Sequence, residues 1–218
     1  KIYVQALFSI PDWDSVCAIT STSKKELKPY ILFFTKKGMV KKSEIGEYNL
    51  ARKAALKALT LDSGDEIVNV LFMKEERVGI LTEMGNFIMI ETADIRPIGR
   101  IAKGVKAIKL NDGDNVANAR IIPMDTISIA SISGGGLFKK TGIEEFAVQG
   151  RGTKGSKIQK LNEADWMADF LPKTHDREIL VASTHACIKL TTNDIPVYSK
   201  GALGNKSIKM GATDNVVG

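Results

Sequence analysis

Short apolar runs separated by polar turns recur along the chain. Each of four segments consists of a β-branched and apolar run, a turn of about four residues, and a second run. Two such runs joined by a short polar turn are typical of a β-hairpin. The four segments are YILFFTKKGMVKK from Tyr30, RVGILTEMGNFIMI from Arg77, ISIASISGGGLFKK from Ile127 and EILVASTHACIKL from Glu178.

A second block of matching residues follows each hairpin. In every repeat a lysine precedes a short run, and an aspartate follows in a turn that is rich in Asp, Asn and Gly. Both residues recur at spacings of 49, 51 and 49 residues; the lysines are Lys57, Lys106, Lys157 and Lys206, and the aspartates are Asp65, Asp114, Asp165 and Asp214. Four repeats in register predict a second pair of strands, joined by an Asp/Gly turn, in each unit.

The repeat predicts an all-β, propeller-like fold. The sequence shows no apolar periodicity of helical length, and LARKAALKAL from Leu50 occupies the position of a glycine-rich loop in the other repeats. Short strands recurring in units of about 40–50 residues are typical of radial repetition, in which one blade is too small to bury its own apolar face. We expect a single domain or fragment with about four blades of four antiparallel strands; the blades lie at about 30–73, 77–122, 127–171 and 178–218, after a partial blade at 1–29.

Composition and charge change this interpretation little. The net charge of +6, from 31 Lys and Arg against 25 Asp and Glu, is a weak indication of a polyanionic partner. Cys17 and Cys187 are expected to be buried free thiols, and His175 and His185 lack the spacing of a zinc site. No apolar run is long enough to span a membrane, and the first residues do not resemble a signal peptide. We therefore expect a cytoplasmic protein with neither a metal site nor a membrane partner.

A loop with basic residues lies between the hairpin and the lysine-bearing strand of each repeat. Its glycines permit positive φ angles and expose main-chain N–H groups, while Arg and Lys supply positive charge. Repetition at one edge of every blade predicts a curved row of cations that matches the phosphates of duplex DNA. The loops contribute Arg52, Lys53 and Lys57; Arg100, Lys103 and Lys106; Arg151, Lys154 and Lys157; and Lys200 and Lys206.

Two features near these loops allow other interpretations. Gly150, Gly152 and Gly155 also have the glycine spacing of a dinucleotide-binding turn, but a short lysine-bearing strand follows instead of a helix. The lysines of the hairpins either extend the row of cations or form an ordinary solvated face; these are Lys36, Lys37, Lys41, Lys42, Lys139 and Lys140.

The loop of the third repeat resembles a known motif. QGRGTKG at 149–155 is similar to the basic box Gln-Arg-Arg-Gly-Gly-Lys-Gly of the DNA gyrase A subunit, and it departs from that box at Gly150 and Thr153. It matches at Gln149, Arg151, Gly152, Lys154 and Gly155. IRPIGRIAKGVKAIKL also resembles later blades of the C-terminal domain of that protein, and the related domain of topoisomerase IV usually has a more degenerate box. The resemblance therefore favours the gyrase A domain and covers almost the whole chain.

The resemblance implies a β-pinwheel, a propeller-like disc in which neighbouring blades exchange strands. It implies a non-catalytic domain that wraps duplex DNA around a basic rim for an ATP-dependent type II topoisomerase and thereby supports negative supercoiling. The partners are then double-stranded DNA and the remaining parts of the gyrase A and B subunits, in the bacterial cytoplasm at the nucleoid. No cofactor is expected on this chain, since ATP and Mg²⁺ belong to other parts of the enzyme. Because the box-like loop comes in the third repeat, we interpret the chain as a fragment or a shortened member.

A second interpretation follows from the fold alone. Propellers serve many functions, so a protein-interaction module that does not wrap DNA is the alternative. A continuous positive band along the blade edges favours DNA, whereas mixed patches with an apolar face favour a protein partner.

Overall fold

The computed structural model describes residues 29–48, 56–206 and 214–217. These residues form fourteen β-strands and three short 3₁₀ helices, and no α-helix. The strands are β1 (Tyr30–Thr35), β2 (Met39–Glu44), β3 (Ile67–Met73), β4 (Arg77–Thr82), β5 (Asn86–Glu91), β6 (Val105–Lys106), β7 (Val116–Ile122), β8 (Ser128–Ser133), β9 (Leu137–Gly142), β10 (Ser156–Lys157), β11 (Met167–Lys173), β12 (Glu178–Ala182), β13 (Cys187–Thr191) and β14 (Asn205–Lys206), and the 3₁₀ helices are Ile45–Tyr48, Thr92–Asp94 and Ile143–Glu145. The predicted all-β class is confirmed.

The strands form a series of antiparallel sheets, which we call blades 1 to 4 in chain order. Blade 1 has the strand order β3-β1-β2-β6, blade 2 has β7-β4-β5-β10, and blade 3 has β11-β8-β9-β14. Within the described residues blade 4 consists of β12 and β13, with one further bridge between Ser183 and Val216. The strands β3, β7 and β11 contact each other in series, so they lie on the inner side, and β6, β10 and β14 lie on the outer edge.

Neighbouring repeats exchange a strand. Lys106 of β6 pairs with Met39 of β2, although β6 belongs to the second repeat and β2 to the first. The strands β10 and β14 complete blades 2 and 3 in the same way. This corrects one detail of the sequence prediction: the two strands that flank each Asp/Gly turn do not pair with each other, because the first of them closes the preceding blade.

The apolar core lies between blades. One buried cluster joins Leu32 and Phe34 of blade 1 to Ile80 and Ile88 of blade 2, and the clusters between blades 2 and 3 and between blades 3 and 4 are built likewise. A four-stranded sheet on its own leaves apolar side chains exposed to water. Each blade therefore buries them by packing against its neighbours. The structure therefore has the mutual dependence that the short repeat predicts.

The repeated aspartate anchors the hairpin turn of its own blade. The Asp114 carboxylate accepts hydrogen bonds from the main-chain N–H groups of Met84 and Asn115, each at 2.9 Å. Asp65 and Asp165 make the equivalent pairs of bonds in blades 1 and 3. In blade 4 the Asp214 carboxylate accepts hydrogen bonds from the hydroxyls of Thr184 and Ser183, which lowers the pKa of Asp214 to about 2.

A chain of hydrogen bonds between two Asn side chains and one Asp side chain links the inner strands. The Asn69 Nδ2 group donates to Asn118 Oδ1 at 2.8 Å, and Asn118 Nδ2 donates to Asp169 Oδ1 at 2.8 Å. Each of these side chains also accepts a main-chain N–H from the next residue along its strand. These bonds hold the inner strands of blades 1 to 3 at fixed positions relative to one another. The basic loops lie at the opposite, outer edge of the blades.

The structure contradicts the predicted burial of one cysteine. Cys187 is exposed, which contradicts its predicted burial, because β13 lies on the less covered blade 4; Cys17 lies outside the described residues. Among the described residues, no helix is long and apolar enough to cross a membrane.

Candidate nucleic-acid interface

Three of the basic loops lie on the outer edge of the blades. We call residues 99–104 loop A, residues 149–155 loop B and residues 199–204 loop C. At the start of loop B, Gln149 donates its main-chain N–H to Met89 O of β5 at 2.8 Å, and directly after the loop β10 pairs with the same strand. Loops A and C are attached to β2 and β9 by equivalent bonds on both sides. Each loop is therefore held at both ends against the preceding blade.

The last glycine of each loop lies against that blade's main chain. Gly155 has a φ of +69°, and a Cβ there would overlap the Phe87 carbonyl oxygen and lie 2.8 Å from its carbon. Gly104 and Gly204 share the positive φ, and their Cβ atoms would lie 2.6 Å and 3.2 Å from a strand carbonyl oxygen. These positions require glycine for close approach to the strand, a role that the sequence did not distinguish from exposure of N–H groups.

Successive loops are joined by hydrogen bonds. The main chain of loop A accepts from Thr60 at Ala102 O, loop B accepts from Lys109 at Thr153 O, and loop C accepts from Lys160 at Ala202 O; these distances are 3.4, 2.9 and 3.1 Å. Lys109 and Lys160 follow β6 and β10, the short strands directly after loops A and B, whereas the loop before Thr60 lies outside the described residues. The loops thus form one continuous row, which we call the rim.

Loop B presents its cations to solvent. Arg151, Lys154 and Lys157 are all exposed. Within the described part of the chain Lys154 has no hydrogen-bond or ion-pair partner, Arg151 makes one long bond of 3.4 Å to Lys106 O, and the Lys157 ammonium binds Met84 O.

The remaining box-like residues shape loop B. The Thr153 hydroxyl donates to Gln149 Oε1 at 2.9 Å, a bond that links the first residue of loop B to Thr153 on the other side of its turn. Gly152 has a φ of +81° and donates its main-chain N–H to Ala107 O at 2.7 Å. We conclude that these two residues, like Gly155, set the geometry in which the cations are presented.

Loops A and C present fewer free cations. Arg100 is half-buried, and Lys103 forms an ion pair with Asp62. The Lys200 ammonium donates to Glu145 O at 3.1 Å, and Leu203 takes the position of Lys154. The other predicted cations, Lys57, Lys106 and Lys206, are exposed at the rim, whereas Arg52 and Lys53 lie outside the described residues.

Four of the hairpin lysines are buried, so they neither extend the row of cations nor form a solvated face. Lys41, Lys42, Lys139 and Lys140 are at most 6% exposed. The ammonium group of each is bound by main-chain carbonyl oxygens, which replace the lost hydration. Lys36 and Lys37 are accessible, and each has a local partner in Glu66 or Ser63 O.

Burial changes the acidity of these lysines. It lowers the pKa of Lys139 from its ordinary 10.5 to about 8, and the nearby Glu145 carboxylate opposes the shift. Burial also lowers the pKa of Lys41 and of Lys140. The Lys139 ammonium donates to Ser199 O at 2.7 Å and that of Lys41 to Arg100 O at 2.5 Å, so both lysines support a rim loop from beneath.

Two glutamates at the rim were missed by sequence reasoning. Glu47 accepts the main-chain N–H of Arg100 at 3.0 Å, and Glu145 accepts that of Lys200 at 2.7 Å. Both residues lie in the 3₁₀ helix that follows the hairpin of the blade beneath the loop. The sequence does place both glutamates three residues after the end of the second hairpin strand, and this equal spacing could have drawn attention to them. It does not reveal that each binds a loop that belongs to the next repeat.

Comparisons with known proteins agree with this architecture. Residues 29–72, 80–123, 128–172 and 178–218 match the family model described as "DNA gyrase C-terminal domain, beta-propeller". The DNA gyrase A subunit of Helicobacter pylori is 32% identical over 95% of this chain, and that of Kosmotoga olearia is 30% identical over 94%. The chain spans about a quarter of these relatives, with 26% of each covered.

Solved structures share the fold. A C-terminal domain of DNA topoisomerase IV matches with a TM-score of 0.90 at 22% identity, covering 99% of this chain and 68% of that one. A DNA gyrase A C-terminal domain matches with a TM-score of 0.79 at 22% identity, covering 89% of this chain and 67% of that one. With four repeats matched by the family model along a rim of strand-exchanged blades, the chain belongs to the DNA gyrase C-terminal domain family.

Proposed function

We propose that the rim binds duplex DNA by its phosphates and bends or wraps it, without reading the base sequence. The observation that carries the proposal is the hydrogen-bonded row of loops, in which loop B presents Arg151 and Lys154 free of ion pairs with the described residues. Contacts of Arg and Lys to phosphate position a protein on DNA and carry no sequence information by themselves.

A row of loops suits this task better than one loop does. Bending 20–30 bp of duplex by 40–90° costs on the order of 1–6 kcal/mol. Each phosphate neutralised by Arg or Lys releases counterions and contributes favourably at low salt. Several loops held at fixed positions on successive blades offset the bending cost together, whereas one loop supplies only a few contacts.

The proposal includes a parent enzyme. The chain acts as a domain without a catalytic role in a gyrase-type topoisomerase of the bacterial cytoplasm, where it delivers bent DNA to the other domains of the enzyme. Strand passage and ATP hydrolysis, with its Mg²⁺, then take place elsewhere in the A and B subunits. Family membership and the chain's 26% share of gyrase A relatives support this division of labour.

The test compares two variants of equal net charge. Arg151→Ala combined with Lys154→Ala removes two rim cations, and Lys74→Glu makes the same change in net charge at the exposed turn that joins β3 to β4, outside loops A, B and C. Binding to unrelated duplexes is measured by fluorescence anisotropy over a range of KCl concentrations. We expect the double variant to lower the salt slope by about 0.9 for each lost phosphate contact and Lys74→Glu to leave the slope nearly unchanged.

The same titration judges the proposal. If the double variant and the Lys74→Glu control have the same affinity and slope, loop B does not bind phosphate. Wrapping is tested separately by ligating nicked plasmid in the presence of the protein and measuring the linking number. No change in linking number at saturating protein rejects wrapping, and an absence of DNA binding in every assay favours the protein-interaction alternative.

A further inference from the structure

Loops A and C each have a main-chain N–H group bound to a carboxylate. The donors, Arg100 and Lys200, occupy equivalent positions in their loops, and the acceptors are Glu47 and Glu145 at 3.0 and 2.7 Å. The equivalent residue of loop B is Arg151, whose main-chain N–H forms no hydrogen bond with any described residue. The three loops therefore differ at one donor group.

The blade beneath each loop explains the difference. The position of Glu47 and Glu145, three residues after the hairpin, is Asp94 in blade 2, and its side chain is shorter by one methylene group. Asp94 is exposed, and its carboxylate makes no hydrogen bond or ion pair within the described part of the structure.

A second substitution in blade 2 acts in the same direction. The buried lysines that hold the carbonyls of loops A and C, Lys41 and Lys139, correspond in blade 2 to Ile88. Loop A is thus bound at both an N–H and a carbonyl of Arg100, and loop C at the N–H of Lys200 and the carbonyl next to it. Loop B lacks both of these bonds to its blade.

A carboxylate bound to a loop N–H has the chemistry of a bound phosphate oxygen. Both are anionic acceptors that form short charge-assisted bonds with main-chain donors between cationic side chains. A DNA phosphate that approaches loop A or C must displace the glutamate or accept a like charge beside it. The cations of these two loops are also less free than those of loop B, because Lys200 Nζ donates to the main-chain carbonyl of Glu145 and Arg100 is half-buried.

We propose that Glu47 and Glu145 act as internal substitutes for phosphate that weaken the binding of loops A and C to DNA, so that these loops engage after loop B, which Asp94 and Ile88 leave open. The rim is then graded, and the strength of each loop is set by one residue of the blade beneath it. This inference rests on the proposed DNA binding and adds to it a determinant of which loop binds first.

Variants that conserve charge test the inference. Glu47→Asp combined with Glu145→Asp gives blades 1 and 3 the shorter acid of blade 2, and Asp94→Glu gives blade 2 the longer one. We expect the first variant to bind duplex DNA more tightly and to steepen the salt slope by about 0.9 for each released loop. We expect Asp94→Glu to bind less tightly. Because none of these changes alters net charge, a general electrostatic effect predicts no difference.

A measurement on the unaltered protein keeps the test independent of variant folding. In free protein we expect slow amide exchange at Arg100 and Lys200 and fast exchange at Arg151. As duplex DNA is added, the Arg151 amide resonance should shift first and furthest, and the resonances of the other two amides should shift later and less. Equal shifts at the three amides, or a folded Glu47→Asp/Glu145→Asp protein whose binding is unchanged or weaker, overturns the inference. The proposed function fails separately, if Arg151→Ala/Lys154→Ala binds as well as the Lys74→Glu control.

Discussion

Substituting alanine for the last glycine of loop B tests how the rim is held. At Gly155 the φ of +69° belongs to the left-handed region, which costs an alanine roughly 1–2 kcal/mol. The added Cβ would also overlap the Phe87 carbonyl, so the loop must retreat from β5 by roughly 1 Å to restore an ordinary contact distance. We expect Gly155→Ala to destabilise the protein by about 2–4 kcal/mol, at the upper end of what strained backbone positions cost.

The other loops supply a graded series. The Cβ of an alanine at Gly104 would lie 2.6 Å from Val40 O, and one at Gly204 would lie 3.2 Å from Phe138 O. Gly150 is the matched control, because it lies in loop B, lacks a positive φ and has open space within 4 Å of where an alanine Cβ would lie. The loss of stability should therefore fall in the order Gly155, Gly104, Gly204, and Gly150→Ala should be neutral or stabilising by up to about 1 kcal/mol.

Urea unfolding measures this order, and salt-dependent DNA binding is measured on the same proteins. On the proposed function, Gly155→Ala lowers DNA affinity without any change of charge, because Lys154 and Lys157 move with the loop. If Gly155→Ala is as stable as Gly150→Ala and binds DNA equally well, the close approach to β5 does not hold the rim, and the structural explanation of the glycine is wrong.

Two further predictions concern buried charge. Because the pKa of Lys139 is lower in the folded protein, the unfolded chain binds the proton more tightly between about pH 8 and 10.5. The stability of the wild type relative to Lys139→Met should therefore rise with pH across that window. A stability difference that stays constant with pH in urea unfolding contradicts the lowered pKa. Asp114→Ala removes the acceptor of the Met84 and Asn115 N–H groups and should cost about 2–4 kcal/mol, measured by urea unfolding against Asp112→Ala, an exposed neighbour in the same turn.

The fold could be predicted because each repeat is defined by patterns between residues that are close in sequence. Alternating runs and turns locate the hairpins, and the Asp residues recur where a turn must be anchored, as Asp114 shows at Met84. The strand exchange could not be derived from these patterns, because β6 is two residues long and its partner, Met39, lies more than sixty residues earlier. Only the resemblance implied it.

The candidate site was predicted less completely, since the position of a charged residue in the sequence does not show whether its side chain is buried or exposed. Lys41 and Lys42 look like members of a cationic track in the letters KKGMVKK, yet both are buried and bind carbonyl oxygens. A lysine side chain is long enough to cover apolar surface and reach a polar group on another blade, so its position on a strand does not fix its environment. Glu47 and Asp94 occupy equivalent positions and differ by a single methylene group, yet Glu47 accepts a loop N–H whereas the Asp94 side chain contacts no described donor.

Strand exchange makes the loops and the junctions between blades one structural unit. Loop B belongs by sequence to the third repeat, but Ser156 and Lys157 directly after it complete blade 2. A force that bound DNA exerts on Arg151 is therefore resisted by the pairing with β5 of blade 2 and, through the continuous chain, by blade 3. The cluster that contains Phe87 and Phe170 is buried between the same two blades and resists their separation. Under the proposed function, the cations keep their spacing while the duplex bends, because a change in that spacing would open the apolar core between the blades. DNA binding should in turn stabilise the contacts between the blades whose loops it holds.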